Sequence, residues 1–194
     1  MATLSSPIHQ DQVFINFRGK DIRHGFASHL VDALKRHNIK VFIDTDEQKG
    51  RDLKHLFKRI KESSVALVIL STGYAESKWC LDELKVIMEQ EEKREMTVIP
   101  IFYKVRTGDV KKQKGVFGNR FRRRSEKSSH EEMEKWQVAL KAVSNKFGFT
   151  LDNNRPFREI CSRLLFPFRS QSLSGSFSKW FVGFSSRRKS PSSV

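Results

Sequence analysis

A tryptophan and a glutamate four residues apart form the pair in this sequence best suited to chemistry on a planar substrate. Trp79 and Glu83 lie in the stretch SKWCLDEL at residues 77–84. We predict that Ser77 caps a helix that runs to about Glu91. Its apolar stripe consists of Cys80, Leu84, Ile87 and Met88. Trp79 and Glu83 lie one turn apart on a different face, which predicts a place where a planar ring is held beside a reacting centre.

Both residues also have an ordinary structural interpretation. A glutamate in the first turns of a helix is most often a solvated residue that suits the helix dipole. Trp79 could anchor a core, although its displacement from the apolar stripe argues against that role. Cys80 lies on the stripe, so we predict that it packs in the core.

The rest of the chain alternates strands with helices. Strand-like runs occur at residues 12–17, 40–44, 64–71, 97–103 and 148–151, and helical apolar spacing occurs at residues 26–34, 53–60, 77–91, 136–147 and 157–165. Repeated strand-helix units predict a doubly wound parallel sheet of five strands with helices on both faces. The run at 64–71 is the most apolar and should be central, whereas Pro100 favours a position toward an edge for its strand.

Three loops follow strands of this sheet and should meet at its carboxyl edge, where such sheets bind ligands. The first is the predicted tight loop at residues 18–21, the second spans residues 44–50, and the third leads from Ser71 to Glu83. Arg18 can hold a phosphate or carboxylate in a two-pronged contact, and Gly19 lets the backbone approach a ligand closely. The sequence therefore predicts one site built from all three loops. A glycine after a strand often marks only a turn, which is the alternative.

Two basic segments account for the whole net charge of +15. Residues 104–127, predicted as a long loop, hold ten Lys or Arg against two acids, and residues 155–194 hold eight against one. Such clusters attract polyanions and anionic membranes. We therefore expect nucleic-acid contact at 104–127 or peripheral membrane contact of the tail, with a solvated surface as the alternative.

Composition and cysteine content predict one domain in a reducing compartment. We predict a disordered leader at residues 1–9, a folded domain at 10–168 and a disordered basic tail at 169–194. Cys80 and Cys161 lie far apart, and residues 1–10 show no signal peptide, so we expect the cytoplasm, with the nucleus as an alternative. No apolar run approaches the roughly 20 residues of a membrane span. The spacing of His24 and His29 predicts no metal site.

Five ordered motifs resemble those of plant Toll/interleukin-1 receptor (TIR) domains, and the resemblance covers residues 10–168. The motifs are VFINFRGKDIR at 13–23, VFID at 41–44, SKWCLDEL at 77–84, VIPIFY at 98–103 and FGNRF at 117–121. The resemblance implies a flavodoxin-like fold, cytoplasmic immune signalling and, as in many plant members, cleavage of NAD+ when the domains self-associate. No permanently bound cofactor is implied, because NAD+ or NADP+ is the substrate.

The resemblance also implies roles for individual residues. Glu83 falls on the catalytic glutamate. The expected nucleotide-binding residues are Phe17, Arg18, Gly19, Lys20, Asp44, Gly50, Ser71 and Trp79. Residues 44–52 match a mobile segment that contributes to assembly, and Ser28 and His29 match a pair used for self-association with other TIR domains.

The chain departs from the family pattern at three places. Lys20 replaces an acidic residue, Ile22 a threonine, and Arg106-Thr107 an Asp-Pro pair. These changes resemble the TIR domains of phloem-lectin-like proteins, and we expect a TIR-only chain. Two alternatives to the NAD-cleaving enzyme follow: a non-catalytic adaptor that binds other TIR proteins, and an enzyme directed to nucleic acid by the basic segment.

Overall fold

The computed structural model describes residues 12–43, 53–152 and the single residue 162. The strands are β1 (Gln12–Phe17), β2 (Lys40–Ile43), β3 (Val65–Ser71), β4 (Thr97–Tyr103) and β5 (Phe149–Leu151). The α-helices are α1 (Gly19–Ile22), α2 (Ser28–Arg36), α3 (Leu53–Lys61), α4 (Lys78–Glu92), α5 (Thr107–Lys112), α6 (Gly115–Ser125) and α7 (His130–Ser144). A π-helical turn (Arg23–Ala27) joins α1 to α2, and a 3-10 turn (Tyr74–Glu76) precedes α4.

All five strands are parallel and lie in the order β2-β1-β3-β4-β5. This is the flavodoxin-like order, so the predicted fold is confirmed. Strand β3 is central, as its unbroken apolar sequence predicted, because helices cover both of its faces and every one of its residues is buried.

The sheet separates two apolar layers, because neighbouring residues of a strand point to opposite faces. On one face, Val13, Ile15 and Phe17 of β1 pack with α1 and α2. On the other face, Phe14 packs with residues of α3, α4, α6 and α7. Asn16 shares this second face with Phe14, so its side chain points toward α4.

The structure corrects the predicted loops that follow β1 and β4. Residues 18–21 are not a tight loop, because α1 begins at Gly19 with only Arg18 between it and the strand. The basic segment 104–127 is not a long loop either, since α5 and α6 occupy most of it. Val110 of α5 and Phe117 and Phe121 of α6 are buried, and their burial stabilises these two helices despite the dense positive charge.

Pro100 does not place β4 at the edge of the sheet, because β4 pairs with β3 on one side and β5 on the other. Strand β5 is short and pairs only from Ile101 onward, so Pro100 itself has a strand partner on the β3 side alone. The missing N–H of proline is tolerated at such a locally unpaired position.

Several predictions concern residues outside the described ranges: the leader 1–9, the loop 44–52, the helix at 157–165 apart from residue 162, and the tail 169–194. Within the described part of the chain, no helix is long and apolar enough to cross a membrane.

Candidate active site at the carboxyl edge of the sheet

Helix α4 begins where the sequence predicts, and it carries Glu83 into the interior. The Ser77 hydroxyl accepts a hydrogen bond from the backbone N–H of Cys80 at 3.3 Å, which caps the helix. Glu83 is only 2% exposed, so it is not the solvated helix residue of the ordinary interpretation, and it is buried although it lies off the predicted apolar stripe. Helix α4 packs against the sheet, α3 and α7, and this leaves little of its first two turns in contact with solvent.

A buried polar network surrounds the Glu83 carboxylate. The side-chain amide of Asn16 donates to Glu83 Oε2 at 2.5 Å. The Tyr74 hydroxyl donates to Asn16 Oδ1 and, at 2.9 Å, to the carbonyl oxygen of Cys80. Asn16 and Tyr74 are both fully buried. These hydrogen bonds connect Glu83 of α4 to the face of β1 that α4 covers.

Sequence reasoning missed Asn16 and Tyr74. A signal for Asn16 was present, because it is the one polar residue within the apolar run from Val13 to Phe17. A buried amide is costly unless it is hydrogen-bonded, so its place in that run indicates a polar partner. Burial is the main cause that raises the pKa of Tyr74 well above its ordinary value, followed by electrostatic interaction with Cys80 and Glu83. The phenol therefore stays protonated and remains a hydrogen-bond donor.

Arg18 is engaged by two carboxylates. Its Nη1 lies 2.7 Å from Asp21 Oδ1, and its Nη2 lies 2.6 Å from Glu76 Oε2. The Ser71 hydroxyl donates to Asp21 Oδ2 at 2.5 Å. The predicted open contact for a phosphate is therefore occupied by protein carboxylates, and a ligand that uses Arg18 must displace at least one of them. The sequence analysis predicted neither Asp21 nor Glu76 as a partner of Arg18.

Glu76 also joins the site to the basic helix α6. Arg120 Nε lies 3.4 Å from Glu76 Oε1, and Arg124 Nε donates to the Glu76 backbone oxygen at 2.9 Å. Two of the arginines in the basic segment are thus structural, because they hold α6 against the 3-10 turn that precedes α4.

The remaining predicted residues are distributed around this centre. Phe17 is buried in the layer on the α2 side of the sheet, Gly19 is buried in the first turn of α1, and Lys20 is exposed. Trp79 is half-buried and packs against the apolar layer that contains α4, so it takes part in the core to a degree that its helical phase did not predict. Asp44 and Gly50 lie outside the described residues.

The predicted self-association pair lies in the first turn of α2. Ser28 and His29 are both exposed, and the Ser28 hydroxyl donates to the Gly25 carbonyl at 2.9 Å. Helix α2 lies on the face of the sheet opposite α4, so this pair and Glu83 belong to different layers. Ile22, one of the departures from the family pattern, is buried in the α2 layer, and Arg106 is exposed just before α5. Among the described residues, no group of three His, Cys, Asp or Glu is placed to hold a metal ion.

Comparisons with known proteins agree with these motifs. Residues 12–168 match the family described as "TIR domain". Disease resistance protein RBA1 of Arabidopsis thaliana is 50% identical over 144 residues, which cover 74% of this chain and 40% of that protein. Protein PHLOEM PROTEIN 2-LIKE A8 of the same plant is 46% identical over 158 residues, which cover 79% of this chain and 45% of that protein. The chain therefore spans less than half the length of these two relatives.

Comparison with solved structures also finds TIR domains. The TIR domains of the activated Roq1 resistosome, which directly recognises the pathogen effector XopQ, are 35% identical. They superpose with a TM-score of 0.72 over 80% of this chain and 98% of that one. The TIR heterodimer of RPS4 and RRS1, at 16% identity and a TM-score of 0.52, shares the fold and covers 81% of this chain and 97% of that one. The chain belongs to the TIR-domain family.

Proposed function

We propose that this chain is an immune-signalling enzyme that cleaves NAD+ or NADP+ at the nicotinamide bond when its TIR domains self-associate. The observation that carries the proposal is Glu83, a carboxylate on α4 that a hydrogen bond from β1 holds at a fixed position. The family match and the relatives that are disease resistance proteins support the signalling role. TIR assemblies among the structural neighbours support self-association.

The chemistry requires one well-placed carboxylate. Nicotinamide leaves as a neutral group from a cationic ring, so the bond can break through an oxocarbenium-like state, as in glycoside hydrolysis. Glu83 stabilises the developing positive charge and orients the ribose hydroxyls. The product forms when water or a ribose hydroxyl captures the sugar. A second carboxylate, which ordinary glycosidases use, is not assigned, so we expect slow turnover.

The burial of Glu83 has a consequence for when the enzyme acts. A carboxylate that is 2% exposed does not meet a ribose until its surroundings move. We therefore expect the isolated domain to be weakly active, and we expect activity to rise more steeply than protein concentration. Self-association through the exposed Ser28 and His29 is the event that we propose to uncover the site.

The test is nicotinamide release by the purified protein at high concentration. Glu83→Ala should abolish release, whereas Glu89→Ala, which changes an exposed glutamate of the same helix, should leave it unchanged. Absence of release from the wild-type protein, or equal release from Glu83→Ala, would refute the proposal.

The adaptor alternative is distinguished by cell signalling. His29→Ala should prevent signalling under either hypothesis, with Lys35→Ala on the same helix as the exposed control. Glu83→Ala prevents signalling only if catalysis is required. Normal signalling by Glu83→Ala would therefore select the adaptor.

A nucleic-acid-directed activity is the second candidate, and the exposure of α5 and α6 favours it. Lys111, Lys112, Lys114, Arg122 and Arg123 are all exposed. The proposal predicts binding to duplex DNA or RNA that weakens steeply with salt, because each phosphate contact releases counterions. Charge reversal at Lys112 and Arg123 should reduce the slope. Binding that does not change with salt concentration would exclude this candidate.

A further inference from the structure

The hydrogen bonds beside Glu83 have defined donors and acceptors. The Tyr74 hydroxyl oxygen lies within hydrogen-bond distance of two acceptors, Asn16 Oδ1 and the Cys80 carbonyl oxygen, and its one hydrogen makes it the donor to them. The carboxamide of Asn16 accepts at its oxygen and donates at its nitrogen. The phenol of Tyr74 therefore donates to the amide, and the amide donates to the Glu83 carboxylate. If the Asn16 amide were reversed, its oxygen would face a carboxylate oxygen, which is repulsive.

All three side chains of this hydrogen-bonded series are shielded from solvent. Tyr74 and Asn16 have no exposed surface, and Glu83 is almost completely covered. A polar group buried without a hydrogen-bond partner destabilises a protein, so a strand interior without such a partner would favour an apolar residue over Asn16. The tyrosine stays protonated because burial raises its pKa well above the ordinary value.

We propose that Asn16 and Tyr74 are positioning residues that fix the orientation of the Glu83 carboxylate for the reaction. This inference rests on the proposed NAD-cleaving function of Glu83. Asn16 holds one carboxylate oxygen, and Tyr74 holds the Asn16 amide in the orientation that can donate. Neither residue touches the substrate in this role.

The proposal predicts a specific kinetic signature. Asn16→Leu removes the donor while keeping the number and branching of the side-chain heavy atoms, and it should lower kcat by roughly tenfold to a hundredfold, as expected for a lost bond to a charged group. Tyr74→Phe should lower kcat by roughly tenfold, because the amide loses its anchor. KM should stay within about twofold of the wild-type value in both variants, because neither residue binds substrate.

A double-mutant cycle tests whether Tyr74 acts on Glu83 through Asn16. Tyr74→Phe should cause no further loss of kcat in the Asn16→Leu background, because its effect passes through the amide. Ser63→Ala is the matched control, since it removes a buried hydrogen bond of 3.1 Å from Gln12 at the other end of β1. This control should lower stability without lowering kcat. Independent effects in the cycle, or unchanged kcat in both single variants, would overturn the proposal.

A second measurement does not depend on activity. The side-chain amide resonance of Asn16 is assigned by its absence from Asn16→Leu, and it should shift in both Tyr74→Phe and Glu83→Gln. If wild-type protein releases no nicotinamide while this resonance shifts in both variants, the proposed function fails and the positioning contacts stand. If the resonance is unchanged in both variants, the positioning proposal fails whatever the activity.

Discussion

Glu76→Gln tests whether Arg18 is a substrate ligand or a structural residue. In the structure, Arg18 Nη2 lies 2.6 Å from Glu76 Oε2, and the two side chains are 17% and 33% exposed. The substitution keeps an acceptor at this position but removes its charge. Since both side chains are partly solvated and the bond is kept in neutral form, we expect a cost of about 1 kcal/mol in the free energy of unfolding.

The same substitution should change the affinity for NAD+ in the opposite direction. A pyrophosphate that contacts Arg18 must compete with Glu76 for the guanidinium, and a neutral amide competes less well than a carboxylate. A relief of about 1 kcal/mol corresponds to a KM roughly fivefold lower. We therefore expect a protein that is less stable and yet binds its substrate more tightly.

Two measurements decide the outcome: urea unfolding for stability and nicotinamide release for KM. Glu62→Gln is the control, because this carboxylate forms more exposed ion pairs with Lys58 at 3.8 Å and Arg59 at 3.3 Å. It should cost less than about 0.5 kcal/mol and leave KM unchanged. If Glu76→Gln lowers stability but leaves KM unchanged or raises it, Arg18 does not bind the pyrophosphate and its role is structural.

Three further predictions concern the fold around the site. Gly118→Ala should destabilise the protein by about 3 kcal/mol in urea unfolding, because an added Cβ would lie 2.0 Å from the Gln113 carbonyl oxygen. Trp136→Phe should cost about 2 kcal/mol, since it removes buried ring surface and the bond of 2.8 Å from Nε1 to Asp82 Oδ1. Tyr74→Phe should reduce the loss of stability in alkali. The raised pKa of Tyr74 favours the folded state fully below the ordinary pKa of 10.0, and this contribution is lost as the pH rises above it and the unfolded phenol ionises.

Each of these predictions has a contrary result. A Gly118→Ala protein as stable as wild type would mean that the backbone at Gln113 moves easily. Trp136→Phe without loss of stability would mean that the indole bond to Asp82 contributes nothing. Equal alkaline destabilisation of Tyr74→Phe and wild type would show that other groups account for the loss.

The helices and strands were largely predictable because their signals are local. Short apolar, β-rich runs identified all five strands, and the N-cap at Ser77 placed the start of α4 correctly. The prediction of a long loop at 104–127 was wrong. The many lysines and arginines there suggested a loop, although the segment also contains Val110, Phe117 and Phe121, which are buried in α5 and α6. The first turn of α1 was missed because Gly19 is a poor signal for a helix start.

By itself, the sequence determined the parallel sheet, the central place of β3, the cap and length of α4, and the presence of Glu83 near the start of that helix. Only the tertiary structure decided the surroundings of Glu83 and Arg18. Helical phase describes one helix alone, whereas burial depends on every element that packs against it, and α4 contacts the sheet, α3 and α7. The partners Asn16 and Glu76 were not predictable for the same reason, because hydrogen bonds between residues distant in sequence depend on how the elements pack. Asp21 lies only three residues after Arg18, and this pair was missed because the segment was predicted to be a loop.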